Sequence, residues 1–344
     1  MRFDFDRMFP TVNEISACGI MRKKPKDFKV TEINDIHLSG TGEHLWLYIE
    51  KTGSNTDWVA KQLSNICQVP QRNVAYAGLK DRQAVTQQWF SVQLPKISDR
   101  KKIQSALPDN VSILKSDFHS RKIKRGQLQA NRFEIVIREI EGDLAGISNN
   151  IEQILQNGVP NYFGNQRFGS EMGNIQKCQD WFAGNTKVKS KNLKSLLIST
   201  ARSHIFNEIL ASRINNGSWN KPMLGDIVQL DGSHSWFHCK DASTKEIEKR
   251  IKEFDVHITA AMYGENQVQS TEDCAFLENK IANKHTLYHI GFERFRLKQD
   301  RRSMRIIPRN FKFDFRAKDL FLQFELSSGS YATGVIREIV KFQT

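Results

Sequence analysis

Hydrophobic and polar residues alternate at several places along the chain, and each such place predicts a strand. HLWLYIEK, His44 to Lys51, alternates over its whole length. In SNTDWVAKQLSNI, just after it, Ser54 or Asn55 offers an N-cap to a short helix expected to bury Trp58, Leu63 and Ile66. VAYA and QQWFSVQL read as two further strands, so Gly78 to Thr86 between them is a predicted loop. Phe133 to Ile140 alternates as well. The period then lengthens: Ile147 to Gln156 is helix-like and is stopped by Gly158 and Pro160. Leu193, Leu196, Leu197, Ile205, Phe206, Ile209 and Leu210 set out a long amphipathic helix ending at Asn216 and Gly217, flanked by the glycine-rich NYFGNQRFG and GDIVQLDGSHSWF. Near the end, DLFLQFELSSGSYATG alternates and then turns, and VIREIVKF closes as a short helix or strand. Strand-rich ends around a helix-rich middle predict an α+β architecture, one domain interrupted by an inserted one, with the first boundary at Gly158.

Charge narrows the classes of partner. Lys and Arg number 51 against 38 Asp and Glu, a net +13 over 344 residues, which suits an anionic partner such as a nucleic acid. No apolar run approaches the roughly 18 residues of a membrane helix, and MRFDFDRMFP is not a secretory leader. A cytoplasmic protein is expected. Five scattered cysteines form no C-x-x-C pair, and His238 beside Cys239 would point away from it on a strand, so neither disulfide nor metal is expected.

Against this background NVAYAGLKDRQAVTQQWF is unusual, because its predicted loop displays one carboxylate, Asp81, between two cations, Lys80 and Arg82. Gly78 is expected to give the loop a path that a Cβ would forbid. A carboxylate held on such a loop can act as nucleophile or base, whereas a lone triplet of charges more commonly solvates a turn. Three other stretches set aromatics beside polar donors: RKKPKDFKVTEI with Phe28 and Glu32, ANRFEIVI with Asn131 and Phe133 on one strand face, and SSGSYATGVIRE with Tyr331 in a Gly-Ser turn. Taken alone, Phe133 reads as core and Asn131 as a turn residue.

Five blocks together carry a resemblance: AGLKDRQAVTQQW, P-x-D-F-x-V-x-E from Pro25 to Glu32, G-x-L-x-x-N-x-F from Gly126 to Phe133, GVPNYFGNQRFG from Gly158 to Gly169, and SGSYATGVIRE. In this order, over almost the whole length, the chain resembles the TruD-type tRNA pseudouridine synthases. The resemblance implies a pseudouridine-synthase catalytic domain with a mainly antiparallel sheet, on residues 1–157 plus 306–344. It also implies an inserted α/β TRUD domain on 158–305, with a cleft between the two.

It implies an isomerase that converts a tRNA uridine, expected to be U13 in the D arm, without cofactor or metal. Asp81 matches the family's catalytic aspartate, with Lys80 and Arg82 as its electrostatic neighbours. Arg22 stands where relatives carry a lysine that pairs with that aspartate, and its planar guanidinium makes this a departure. Phe28, Asn131 and Tyr331 match positions that line the uridine pocket, and Phe133 matches an aromatic packed near the target base. Lys122, Lys124, Arg125, Arg301, Arg302 and Arg305 are expected to hold tRNA phosphates, and a monomer is expected. The competing expectation is a non-catalytic RNA-binding or RNA-folding protein on the same scaffold.

Overall fold

The computed structural model describes residues 4–34, 36–94, 100–239 and 245–343. The chain forms two compact units: Ser16–Leu144 with Pro308–Gly329 and Val340–Thr344, and Met1–Ile15 with Ala145–Ile307 and Ser330–Ile339. The architecture is α+β, as the pattern predicts, and the main sheet is mostly antiparallel, as the resemblance implies.

In the first unit seven strands precede the helical region: β1 (Ala17–Met21), β2 (Phe28–Ile33), β3 (His44–Thr52), β4 (Val74–Tyr76), β5 (Val85–Gln93), β6 (Val111–His119) and β7 (Ala130–Gly142). The sheet runs from the hairpin Arg309–Arg316/Asp319–Ser327 through β7, β2, β5 and β3 to β6, with β1 beside β7 and β4 beside β5. Two pairs are parallel, β2 with β5 and β1 with Lys341–Gln343. The first follows because β3, a helix and β4 intervene before the chain returns beside β2.

Alternation decides what the sheet buries. Leu45, Leu47 and Ile49 of β3 pack with Phe90 and Val92 of β5 under the helix Thr56–Ile66. Each such side chain contributes about 1.5–3 kcal/mol of transfer free energy. That helix has Asn55 as N-cap and buries Thr56, Val59, Ala60 and Leu63. Trp58, expected inside, is exposed, and Ile66 is half-buried. The inward face is set by Val59 and Leu63, one turn apart, and Trp58 lies off that stripe.

The second unit has a four-stranded antiparallel sheet, in the order Trp236–His238, Ile227–Leu230, Val256–Met262 and Asp300–Ser303. Beside it runs the 25-residue helix Lys191–Asn215, N-capped by Ser190, whose Oγ accepts from the Leu193 amide. The helix buries Leu197, Ile205, Phe206, Ile209 and Leu210, while Leu193 and Leu196 of the predicted stripe stay exposed. The helix Leu144–Asn157 ends at Gly158 (φ +75°), where a Cβ would lie 2.6 Å from the Ile306 carbonyl oxygen.

These units divide the chain elsewhere than the expected 1–157 plus 306–344 against 158–305. Residues 1–15 and 330–339 belong with the middle segment because the buried Glu338 carboxylate accepts from the amides of Val12 (2.9 Å) and Asn13 (3.2 Å). Phe9 packs against Tyr162 and Phe168 in the same core. Among the described residues, no helix is long and apolar enough to cross a membrane.

Candidate active site

β4 and β5 pair antiparallel, Val74 with Val92 and Tyr76 with Phe90, and residues 77–84 join them. This loop is tied down by side chains from the elements beneath it. The Lys80 amide donates to Thr56 Oγ1 (3.0 Å), Thr56 donates to Gln88 Oε1 (3.0 Å), and Gln88 Nε2 donates to the Gly78 carbonyl (3.0 Å). Lys51 Nζ donates to the carbonyls of Ser54 (2.6 Å) and Asp81 (3.1 Å). Thr56, Gln88 and Lys51 are fully buried, so these bonds form away from competing water. Gly78 contributes no special path: its backbone lies outside the left-handed region, and open space surrounds its missing Cβ. The loop is shaped by its anchors instead.

None of those bonds engages the Asp81 carboxylate. Its Oδ2 accepts from Arg22 Nη2 at 2.7 Å, and the side chain is 38% exposed against 11% for Arg22. Arg22 follows β1 with φ +62°, a left-handed conformation costly for a residue with a Cβ. Its guanidinium stacks over Phe28 at 4.1 Å from the ring centroid. Three elements therefore fix one ion pair.

Of the two sequence neighbours, neither makes that contact. Arg82 is exposed, and Lys80 turns inward to Glu32 (3.5 Å), both side chains being almost fully buried. Burial pushes the Glu32 carboxyl up and the Lys80 ammonium down, and the attraction between them offsets only part of that. Burial likewise lowers the Lys51 ammonium, to about 8, against the pull of Asp81. Sequence reasoning passed over Lys51, and it gave Glu32 no role. The signal was present: Lys51 continues the inward phase of Leu45, Leu47 and Ile49, and Glu32 that of Phe28 and Val30.

The structure brings Phe28, Asn131 and Phe133 together on β2 and β7, where Glu32 pairs with Asn131 and Val30 with Phe133. Phe28 meets Phe133 edge-on at 6.1 Å, and Phe133 stacks on Phe324 at 5.6 Å. Both rings are buried, and Arg22 already covers one face of Phe28. Asn131 Oδ1 is buried with no hydrogen-bond partner, an acceptor held ready for a donor. Tyr331 belongs to the other unit, where its hydroxyl accepts from Arg167 Nη2 (3.2 Å).

The expected phosphate contacts divide. Lys122, Lys124 and Arg125 are exposed and border a concavity of about 700 Å³ with Arg72 and Tyr76. Arg301 and Arg305 are corrected: both are buried structural cations. Arg301 Nη1 pairs with Glu278 (2.9 Å) and its other nitrogens bind Thr259. Arg305 donates to the carbonyls of Ile251 (2.8 Å) and Val256 (3.0 Å). Arg302 is committed inward as well, to Asn161 (2.6 Å) and over the Phe163 ring at 4.2 Å. Their partners lie far away in sequence, so a basic run expected to hold phosphates is in fact mortar.

The cysteines are free thiols, three of them buried. Among the described residues one group brings metal-ligating types together, His204, Glu208 and His285, where Glu208 bridges the imidazoles at 3.4 and 2.8 Å.

Comparison with known proteins identifies the family. The family model described as tRNA pseudouridine synthase D (TruD) matches residues 11–178 and 172–339. The chain is 41% identical over 322 residues to the tRNA pseudouridine synthase D of Hydrogenovibrio crunogenus, covering 93% of this chain and 92% of that one. It is 36% identical over 329 residues to that of Nitrosococcus oceani, covering 95% and 92%. A crystal structure assigned to tRNA pseudouridine synthase D from Methanosarcina mazei has the same fold, with a TM-score of 0.73 over 98% of each chain at 21% identity.

Proposed function

The chain belongs to the tRNA pseudouridine synthase D family, and on that premise we propose that it isomerises uridine 13 in the D arm of tRNA, with Asp81 as the catalytic carboxylate. One observation carries the assignment of Asp81: its loop is anchored by buried bonds that leave the carboxylate to Arg22 and to solvent. A turn that merely solvates its charges needs no such anchoring.

The reaction breaks the C1′–N1 glycosidic bond and forms C1′–C5, and the proton leaving C5 is matched by one gained at N1. Atoms and electrons balance without a cofactor. Asp81 serves either by adding covalently to the sugar or base, or by removing a ribose proton. A base must leave its stack to reach it. The Asn131 carboxamide oxygen, now without a partner, can accept from the uracil N3–H, and Phe28 and Phe133 wall the site. Tyr331 is assigned to the uridine from the resemblance alone. Lys122, Lys124 and Arg125 take phosphates, and the work is done in the cytoplasm by a monomer.

Incubating the purified protein with unmodified tRNA and mapping pseudouridine by mass spectrometry tests this directly. One new pseudouridine at position 13 is expected; tRNA that is bound yet unmodified would mean a binding protein instead. Arg22 gives a finer check. Arg22→Ala should lower single-turnover isomerisation about 100-fold, and Arg22→Lys, which keeps the charge but loses the planar stack on Phe28, about 10-fold. Equal rates for wild type and Arg22→Ala would remove Arg22 from the positioning of Asp81.

A further inference from the structure

Two large apolar side chains stand in water beside the anchored loop, and the proposed chemistry gives them no task. Leu79, two residues before Asp81, is 70% exposed, and Trp58 is 39% exposed. Trp58 occupies the outward face of the helix Thr56–Ile66, with Lys61 one turn further along it, while Val59, Ala60 and Leu63 hold the inward face. Trp58, Leu79, Lys61 and Lys80 border one concavity of about 460 Å³. Its wall at Asp57 and Gln71 is shared with the larger concavity that carries Arg72, Lys122, Lys124 and Arg125.

An indole and an isobutyl group exposed on the border of one concavity invite a flat apolar surface to cover them. Here that surface must also tolerate, or seek, dense positive charge. An unpaired nucleobase does both, since its π face stacks on an aromatic side chain while its phosphates pair with Lys and Arg. Leu79 and Asp81 are two residues apart, so their backbones are separated by at most about 7 Å. Whatever base covers Leu79 is therefore a close neighbour, in the folded RNA, of the base delivered to Asp81.

We propose that Trp58 and Leu79 form a stacking subsite for an unpaired nucleobase of the RNA substrate next to the target uridine. This rests on the proposed function and deepens it: the enzyme recognises its substrate by holding open a second nucleotide as well as the reacting one. Specificity for an unpaired neighbour follows from geometry, because a base kept in a duplex stack cannot present a free face to an indole.

The test compares tRNA affinity across a salt series, and single-turnover isomerisation, for Trp58→Ala, Trp58→Phe and wild type. Trp58→Ala should weaken tRNA binding about 10- to 100-fold, the effect of removing one base stack, with the slope of log K against log salt unchanged. Trp58→Phe should stay within about threefold, since a smaller ring still stacks. The outward position of Trp58 predicts an unaltered melting temperature; should Trp58→Ala unfold, Leu79→Ser carries the test, with an expected loss of about threefold. Affinity within twofold of wild type, Trp58→Phe as weak as Trp58→Ala, or a slope changed by a full unit would each overturn the subsite. So would a change in oligomeric state at unaltered tRNA affinity, which would mean that the patch meets protein. Wild type that isomerises no tRNA uridine would instead overturn the proposed function, and the subsite with it.

Discussion

Asp81→Asn should bind tRNA with affinity within a few fold of wild type and form pseudouridine at least about 10³-fold more slowly. The substitution keeps size and shape and removes only the charge. The fold around it should hold, because the loop is fixed through the Gly78 and Asp81 carbonyls and the Lys80 amide, none of which the substitution touches. The Arg22 guanidinium loses an ionic partner at 2.7 Å but keeps its stack on Phe28 and an amide oxygen to donate to. On the proposed function RNA affinity comes from contacts made elsewhere, chiefly to phosphates, and removing a negative charge near an RNA site leaves them intact. Single-turnover assays with mass-spectrometric detection, beside tRNA titrations at fixed salt, separate the two quantities. Turnover within tenfold of wild type would sink the assignment of Asp81. Loss of binding and turnover together would point to a folding defect rather than to chemistry.

How far the site could be read from the sequence depends on where each partner lies. Local pattern placed β3, β5, β7 and the long helix Lys191–Asn215 well, because alternation and amphipathic spacing are properties of a few neighbouring residues. The same pattern also contained Lys51 and Glu32, polar residues on the inward phase of their strands, which is the mark of a buried charge with a purpose. Local pattern could not choose the cation for Asp81, and only the resemblance pointed to Arg22. Lys80 and Arg82 adjoin it in sequence, yet Arg22, 59 residues earlier, makes the contact, because successive residues on an extended loop point to different sides. Trp58 was misjudged for a related reason. A large aromatic in a short helix suggests core, but on this helix the sheet had already taken the Val59 and Leu63 face. Arg301 and Arg305 show the limit from the other side. A basic run looks free for phosphates until the fold supplies Glu278 and a row of carbonyls 23 to 54 residues away.

Lys80→Met should destabilise the protein by about 3 kcal/mol, because it leaves the Glu32 carboxylate buried without its counter-charge. Glu32 can relieve part of that by taking up a proton, and burial already pushes its carboxyl in that direction. The double variant Glu32→Gln/Lys80→Met removes both buried charges and should recover most of the stability, as replacement of a buried pair by neutral groups commonly does. Activity should not recover with it. Lys80 adjoins Asp81 in a water-poor setting where the charge of an ammonium extends further than it would in solvent. Without that cation the Asp81 carboxylate keeps Arg22 and, behind the loop, Lys51 as positive neighbours but loses the adjacent one, and single-turnover isomerisation should stay about 10- to 100-fold below wild type. Thermal unfolding and single-turnover rates measured on both single variants and the double form a complete cycle. A double variant that regains stability and full activity together would reduce Lys80 to a structural counter-ion for Glu32. One that regains stability alone would make Glu32 the means by which a buried cation is kept charged beside the reacting carboxylate.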